Sequence, residues 1–573
     1  MVRPLAPSFV GFDRRWIRSD VVAGLTVWAV LVPESLAYAS IAGVPPVVGL
    51  YAAVPALALY ALLGSSRHLV VSPMSATAAL SLSVVAAVAT DPGDPAQVLA
   101  LTTALALATG LVALVAGGLR LGFLAAFISE PVLKGFIIGL ALTIMIGQLP
   151  ALIGVDKGSG NFFEKSWDLI QHLGDAELLA TTVGVGSLLL LLGLRRWLPI
   201  VPGSLVVALG SIALVAVLDL EDDGLDIVGH IEAGLPALGL PDVGGDAFID
   251  LLGASVGVML VGFAEGLGAA KTYAAKQGYD IDANKELLGL GVANLGAGLG
   301  SGMVVNGSLS KTAVNGGAGA KSQVSPLTAA VLTLVTLLFL TGIFEKLPEA
   351  TLAAIVVAAV VELVDVASLR RLWRVQTGVL AKVYQVTSRT DFVGAVTAML
   401  GVLIFDTLPG LAIGVCVSLL LLLARTSRPH LALLAPVAKT EPGQQAGTAW
   451  VDTERHPDVQ PRAGVLVVRV EASLVFSNAE YVRDQVRALV AGMTPVPRLV
   501  VIDGQTTPSI DVTAAAMLTL LRGDLQRVGS DLALAHSIGQ VRDVLRTAET
   551  EGEPPIYATI EDALASAPPP VHE

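Results

Sequence analysis

The first long apolar stretch of the chain, residues 21–39, contains a glutamate next to a proline, Glu34 and Pro33. A charge at the centre of a bilayer costs about 2.5 to 3.5 kcal/mol even on the mildest scales. A proline also removes a backbone hydrogen bond that hydrocarbon cannot replace. Both costs are avoided only if this part of a helix lines a polar cavity. Glu34 therefore indicates a pathway.

The composition places this pathway in a membrane protein. The chain has 573 residues, of which 54% are hydrophobic and 14% are charged, whereas soluble domains carry about 25% charged residues. The first residues lead directly into a helix too long for the apolar part of a signal peptide, so we expect no cleavable signal. The net charge of −13 is spread over acidic loops and an acidic tail, and it indicates no nucleic-acid partner.

The hydropathy pattern predicts a membrane domain over residues 1–425 with fourteen spans. Several runs are shorter than the ~20 residues that a straight span needs, most clearly those after Ser72 and Asn306, and we interpret these as half-helices. The predicted spans begin near Val21, Val47, Met74, Ala96, Leu133, Leu178, Val201, Phe248, Lys285, Ser308, Ser325, Ala350, Phe392 and Leu408.

Basic residues predict the orientation. With the amino terminus inside, arginines and lysines fall in one set of loops and acidic residues in the other, as the positive-inside rule requires. Both termini are then cytoplasmic, in a multi-pass protein of the cell membrane.

After Arg425 the chain changes character. Residues 426–462 are interpreted as a linker and 463–565 as a small cytoplasmic α/β domain. Strands are predicted over 464–470, 499–502 and 532–535, and helices over 479–489 and 512–528. Asp511 is predicted to cap the second helix.

Two stretches of the membrane domain resemble each other, within repeats of about 15–220 and 245–425. Residues 75–78 (SATA) match 310–313 (SKTA), and each copy follows an apolar span with a glutamate in it, Glu34 or Glu265. The copies lie in the third and tenth spans. Seven spans per repeat invert the topology, as in many secondary transporters.

The repeated stretch also predicts a binding site. Two extended segments, 69–71 and 303–305, are predicted to turn into half-helices near Ser72 and Ser308. Ser310 and Lys311 follow in the second half-helix. Ser72-Pro73 is predicted to be a capped helix start. Two such amino termini expose N–H groups and the positive end of the helix dipole, which suits an anion. Small-residue helix packing is the alternative for either copy alone. Glu265 could lie at a helix end in water, and Lys311 could be a surface lysine.

The chain resembles the sulfate permease (SulP) anion transporters, a family that includes the prestin-like solute carriers. The matching motifs are residues 20–26 (DVVAGLT), 32–39 (VPESLAYA), 43–51 (GVPPVVGLY), 281–287 (IDANKEL) and 307–315 (GSLSKTAVN). The C-terminal region is similar to the family's STAS domain, with Asp511-Val512-Thr513 at its Asp-Ser motif.

The resemblance implies two inverted repeats of seven spans, core and gate domains, a homodimer and an elevator-like motion. It places the substrate between spans three and ten, at Ser72, Ser75, Ala76, Ser308, Ser310 and Lys311, with Glu34 and Glu265 completing the site. Many relatives have arginine where Lys311 stands, and lysine lacks bidentate oxyanion recognition. Ala269 stands where sodium-coupled relatives have a hydroxyl.

The resulting hypothesis is a proton-coupled secondary transporter of small inorganic oxyanions, sulfate first. Because burial disfavours a charged carboxylate, Glu265 or Glu34 can take up a proton and so favour anion binding. The alternatives are a bicarbonate or dicarboxylate transporter, with or without sodium, and an anion channel. The stretch 316–322 lacks a glycine of the phosphate-binding loop, so neither an enzyme nor a pump is expected. No cofactor or metal is expected. The STAS-like domain could bind a regulatory protein.

Overall fold

The membrane-spanning part of the chain is built from inverted repeats of seven helices. A computed structural model describes residues 7–566 except 10, 92, 124–128, 159, 199–200, 362, 375–388, 406, 440–446 and 548–551. The helices of the first repeat are α1 (Ile17–Ile41), α2 (Val47–Leu63), α3 (Ser75–Val88), α4 (Pro95–Gly118), α5 (Glu130–Ile153), α7 (Leu178–Trp197) and α8 (Gly203–Leu218).

The second repeat follows the same plan. Its helices are α9 (Gly245–Gln277), α10 (Ala283–Leu299), α11 (Leu309–Gly317), α12 (Val324–Val335), α13 (Glu349–Val361), α15 (Arg389–Phe405) and α16 (Thr407–Ser427). Each repeat also has one short amphipathic helix after its fifth span, α6 (Phe162–Gln171) and α14 (Val366–Arg374). The fourteen spans predicted from hydropathy are confirmed.

Small residues allow the helices to approach closely, as is common in membranes. A Cβ atom at Gly49 of α2 would lie 1.9 Å from the carbonyl oxygen of Ser35 in α1. A Cβ atom at Gly135 of α5 would lie 1.9 Å from the carbonyl oxygen of Ala395 in α15. These contacts leave no room for any other residue type at either position.

Two short strands join the repeats at the centre of the membrane domain. Strand β1 (Val70–Ser72) precedes α3, and strand β2 (Asn306–Ser308) precedes α11. They pair antiparallel, with Val70 opposite Ser308 and Ser72 opposite Asn306. The sequence predicted these extended segments one and three residues too early, because apolar character alone does not mark where pairing begins.

The C-terminal domain is an α/β fold with its own core. A six-stranded sheet has the order β4-β3-β5-β6-β7-β8, and β5 to β8 are parallel. Its helices are α17 (Ala479–Ala491), α18 (Val512–Gln526), α19 (Gly539–Thr547) and α20 (Ile560–Ala565). Its strands are β3 (Leu431–Lys439), β4 (Gly447–Asp452), β5 (Val465–Val470), β6 (Leu499–Asp503), β7 (Asp531–Ala535) and β8 (Ile556–Tyr557).

The segment predicted as a linker contains part of this sheet. Within 426–462, β3 pairs with β5 through Leu431 opposite Val470, and β4 pairs with β3. The polar stretch 440–462 predicts a linker, but it contains β4, and the apolar run 431–439 before it forms β3, which pairs on both sides. Asp511 caps α18 as predicted, since its carboxylate accepts a hydrogen bond from the Ala514 N–H at 2.8 Å.

Candidate functional site

Lys311 lies at the centre of the membrane domain, where the two broken helices meet. Its side chain is only 1% exposed, so it is not a surface lysine. The ammonium nitrogen Nζ lies 3.1 Å from Glu34 Oε2 and donates a hydrogen bond to the Pro73 carbonyl oxygen at 3.0 Å. The second repeat thus supplies the cation, and the first repeat supplies both of these acceptors.

Glu34 directly follows Pro33 inside α1. Its side chain is 9% exposed, and the Tyr38 hydroxyl donates a hydrogen bond to its Oε2 at 3.2 Å. The Tyr38 ring also faces the ammonium group of Lys311, with Nζ 4.9 Å from the ring centroid. Tyr38 was not predicted as a site residue, although a residue four positions after Glu34 lies on the same helix face.

The two half-helices begin differently. Ser308 caps α11, because its hydroxyl accepts a hydrogen bond from the Lys311 N–H at 3.2 Å. Helix α3 has Met74 at the capping position and no side-chain cap. Ser72 lies in β1 and its hydroxyl contacts the neighbouring Pro73 carbonyl at 3.4 Å, so the predicted Ser72 cap is wrong.

The first turn of α3 is buried and has no side-chain cap. Ser75 and Ala76 are the first two residues of α3, 6% and 1% exposed. The first turn of a helix has unsatisfied N–H groups and a positive partial charge. Together with the ammonium group of Lys311, this end forms a positive region at membrane depth.

The predicted site residues separate into an inner group and two peripheral ones. Ser72, Ser75, Ala76, Ser308, Lys311 and Glu34 are all buried close to the crossing strands. Ser310 is exposed, and its hydroxyl contacts the Ser308 hydroxyl at 3.2 Å. Glu265 is half-buried on α9, and the Asn306 side-chain amide lies 3.5 Å from its Oε2.

Asn294 was not selected from the sequence, and Asn306 was selected only as the position before a half-helix, although both hold the second strand in place. The Asn294 amide donates to the Val305 carbonyl and accepts from the Val305 N–H, each at 2.9 Å. Asn306 links β2 to Glu265 on α9. A polar amide in an apolar span was the available signal, because such groups are costly in lipid unless they are paired.

Comparisons with known proteins agree with this architecture. Residues 17–387 match the Sulfate permease family, and residues 456–563 match the STAS domain. The chain is 35% identical over 565 residues to a "Probable sulfate transporter" of Mycobacterium tuberculosis (strain CDC 1551 / Oshkosh), covering 98% of this chain and 97% of that protein. It is 29% identical over 587 residues to "Sulfate transporter 1.1" of Arabidopsis thaliana, covering 97% of this chain and 86% of that protein.

Solved structures share the fold. The murine Solute Carrier 26 family member A9 anion transporter in the inward-facing state superposes with a TM-score of 0.86 at 23% identity, covering 98% of this chain and 93% of the other. The transmembrane domain of the cyanobacterial bicarbonate transporter BicA superposes with a TM-score of 0.60 at 24% identity, covering 70% of this chain and 98% of the other.

Proposed function

Because this chain belongs to the sulfate permease family, we propose that it is a proton-coupled secondary active transporter of small inorganic oxyanions, sulfate first. The observation that carries the proposal is the buried ammonium group of Lys311, held between the two half-helices and paired with Glu34. A buried lysine whose partner is a titratable carboxylate can exchange that partner for a substrate anion.

Anion binding uses the uncapped start of α3 and the charge of Lys311. The N–H groups at Ser75 and Ala76 donate to substrate oxygens, and the helix dipole favours negative charge there. Lysine supplies a point charge rather than a bidentate fork. The site therefore accepts compact oxyanions without imposing the planar geometry that an arginine would.

Glu34 provides the coupling to protons. In its charged form Glu34 neutralises Lys311 and repels an incoming anion. Protonation of Glu34 releases the ammonium group for the substrate, so that one proton and one anion occupy the site together. Glu265, held by Asn306 across β2, is a second carboxylate that can respond to the same proton.

The pairing of strands β1 and β2 favours an elevator-type motion. Pairing of β1 with β2 joins the parts of the site from the two repeats, so we propose that access alternates when both parts move together as one rigid unit.

We also propose a homodimer in the cell membrane with both termini cytoplasmic, and a regulatory protein partner at the STAS domain.

The test is uptake of labelled sulfate into proteoliposomes under an inward proton gradient. We expect the gradient to accelerate uptake by the wild type several-fold. Glu34→Gln should keep uptake but lose the acceleration, because its amide neither titrates nor neutralises Lys311. Glu265→Gln should reduce the acceleration less, and Glu221→Gln on an exposed loop should behave as the wild type.

Three results would contradict this assignment. Uptake indifferent to the gradient in the wild type as well as in Glu34→Gln would reject proton coupling. Competition in which bicarbonate or a dicarboxylate, and not sulfate, reduces uptake would replace the proposed substrate. Unitary currents in planar bilayers would instead favour a channel.

A further inference from the structure

Helix α6 carries an apolar face that the described protein leaves uncovered. Its exposed side chains are Phe163, Trp167 and Ile170, at 52%, 63% and 58%, followed by Leu173 at 54%. These positions follow a spacing of three to four residues and so form one stripe along the helix. An isolated apolar residue at a surface is ordinary, but an aligned stripe with two aromatic rings indicates a contact surface.

The opposite face of α6 already has a role. Asp168 and His172 line a cavity of about 780 Å³ together with Lys157 and Glu177. The His172 ring lies 3.5 Å from the Asp168 carboxylate. The polar face therefore lines a polar recess, and the apolar stripe points away from it.

One backbone hydrogen bond closes the segment that contains α6, between the end of α5 and the start of α7. The Glu177 N–H, just before α7, donates to the carbonyl oxygen of Ile153, the last residue of α5, at 3.0 Å. The intervening segment thus leaves and returns at one point on the membrane surface. A capping box between Asn161 and Glu164 fixes the beginning of α6.

The lipid-facing surface of α7 continues from this point. Leu178, its first residue, is 84% exposed, and Leu189 and Leu190 further along are 64% and 52% exposed. These side chains face hydrocarbon in a membrane-spanning helix. The apolar stripe of α6 ends at Leu173, five residues before Leu178, so the same phase can cover both.

We propose that α6 lies in the phospholipid interface, with Phe163, Trp167 and Ile170 inserted among the lipids. Aromatic residues are enriched at this depth, and helices with one apolar and one polar face bind there. The polar face of α6 carries Glu164, Lys165 and Asp168 and no basic cluster. The contact is therefore with the apolar part of the lipid and does not require an anionic headgroup.

The experiment uses the complete chain in phosphatidylcholine liposomes. Cys416 is the single cysteine, so a Cys416→Ala background accepts one nitroxide label at a time. Labels at Phe163→Cys, Trp167→Cys and Ile170→Cys probe the apolar face. Matched labels at Lys165→Cys and Asp168→Cys probe the polar face. Oxygen, which concentrates in lipid, and a water-soluble nickel chelate report the surroundings of each label.

We expect the ratio of oxygen to nickel accessibility to be several-fold higher on the apolar face, and unchanged when anionic lipid is added. High nickel accessibility on both faces would show that α6 lies in water and would overturn the proposal. Low accessibility to both reagents on the apolar face, with short distances between labels, would assign the stripe to a second copy of the chain and would also overturn it.

A second measurement does not depend on introduced cysteines. Phospholipids brominated in the acyl chain quench nearby tryptophan fluorescence. Trp167→Phe should remove a quenchable fraction, whereas Trp450→Phe in β4 of the C-terminal domain should not. Equal loss of quenching in both variants would contradict the proposed position of α6, and neither measurement requires that the chain transports sulfate.

Discussion

Two buried carboxylates, one in each domain, meet their positive partners in different ways. Asp503 in the STAS domain is fully buried and accepts hydrogen bonds from Arg469 Nε at 2.7 Å, His536 Nδ1 at 2.9 Å and the Gln505 N–H at 3.2 Å. Glu34 in the membrane domain has the Lys311 ammonium group at 3.1 Å and the Tyr38 hydroxyl at 3.2 Å.

The two carboxylates differ in the number and kind of donors around them, and this difference indicates different roles. Asp503 has three donors, and two of them are charged or titratable side chains on neighbouring strands and loops. Such a network stabilises one arrangement. Glu34 has one hydroxyl donor and one ammonium partner, and lysine presents a point charge that other anions can share. We therefore expect the Glu34–Lys311 pair to exchange partners more readily than the Asp503–Arg469 pair.

The largest expected effect comes from removing the cation of the membrane pair. Lys311→Met should reduce sulfate uptake by roughly 100-fold or more, because the anion loses its buried ammonium partner, and truncating one partner of a buried charge pair costs about 2 to 5 kcal/mol of binding free energy. Uptake of labelled sulfate into proteoliposomes measures this. Lys321→Met, at an exposed lysine nearby in sequence, is the matched control and should retain uptake.

A folding defect in Lys311→Met is distinguished by a double variant. Glu34→Gln combined with Lys311→Met removes both charges, so the amount of folded protein should recover while uptake stays absent. Recovery of uptake in the double variant would contradict a direct role for the ammonium group.

The corresponding change in the STAS domain should affect stability rather than transport chemistry. Asp503→Asn leaves the Arg469 guanidinium without its carboxylate and should destabilise the domain by roughly 3 kcal/mol. Hydrogen exchange of the β6 and β7 amides in the complete chain would report this as faster opening. Asp543→Asn on the exposed face of α19 should change exchange little, and equal protection in both variants would refute the structural role of Asp503.

A smaller effect is expected from the cap that positions Lys311. Ser308→Ala removes the acceptor for the Lys311 N–H and should cost about 1 kcal/mol, which weakens sulfate affinity about fivefold. Ser308→Thr keeps a capping hydroxyl and should bind as the wild type. Competition binding over a sulfate series would separate the two variants, and equal affinity of all three proteins would exclude the cap from the site.

The smallest effect concerns an ion pair at the surface of the STAS domain. The hydrogen bond from Arg522 holds the pKa of Asp531 below its usual value. A carboxylate with a lowered pKa stabilises the fold above its unfolded pKa, and this contribution is lost as the pH falls through the folded pKa. Arg522→Gln should cost at most about 1 kcal/mol at neutral pH.

The difference between wild type and Arg522→Gln should shrink as the pH falls below 3.8, the ordinary value for an aspartate. Hydrogen exchange of β7, corrected for its intrinsic pH dependence, measures it. A difference that stays constant to low pH would show that Arg522 acts by packing alone.

Much of the membrane fold could be predicted because lipid imposes strict rules on the sequence. Spans, repeats and the buried glutamate in α1 follow from the cost of charge and unpaired backbone in hydrocarbon. The exposure of Ser310 and the uncapped start of α3 could not be predicted, because they depend on how β1 and β2 align. The strands at 431–439 and 447–452 were missed because β3 follows the last membrane helix after only three residues, and the polar stretch 440–462 separates β3 and the edge strand β4 from the other strands in sequence.

The pairing of β1 with β2 has a consequence for the biogenesis of the protein. Val70 has its partner at Ser308, which the ribosome adds only after most of the membrane domain has been made. Until then, the extended backbone near Ser72 lacks its partner strand in the nascent chain, and an unpaired backbone is costly within lipid. We therefore expect the first nine spans to remain incompletely assembled near the insertion machinery until the tenth span has been synthesised.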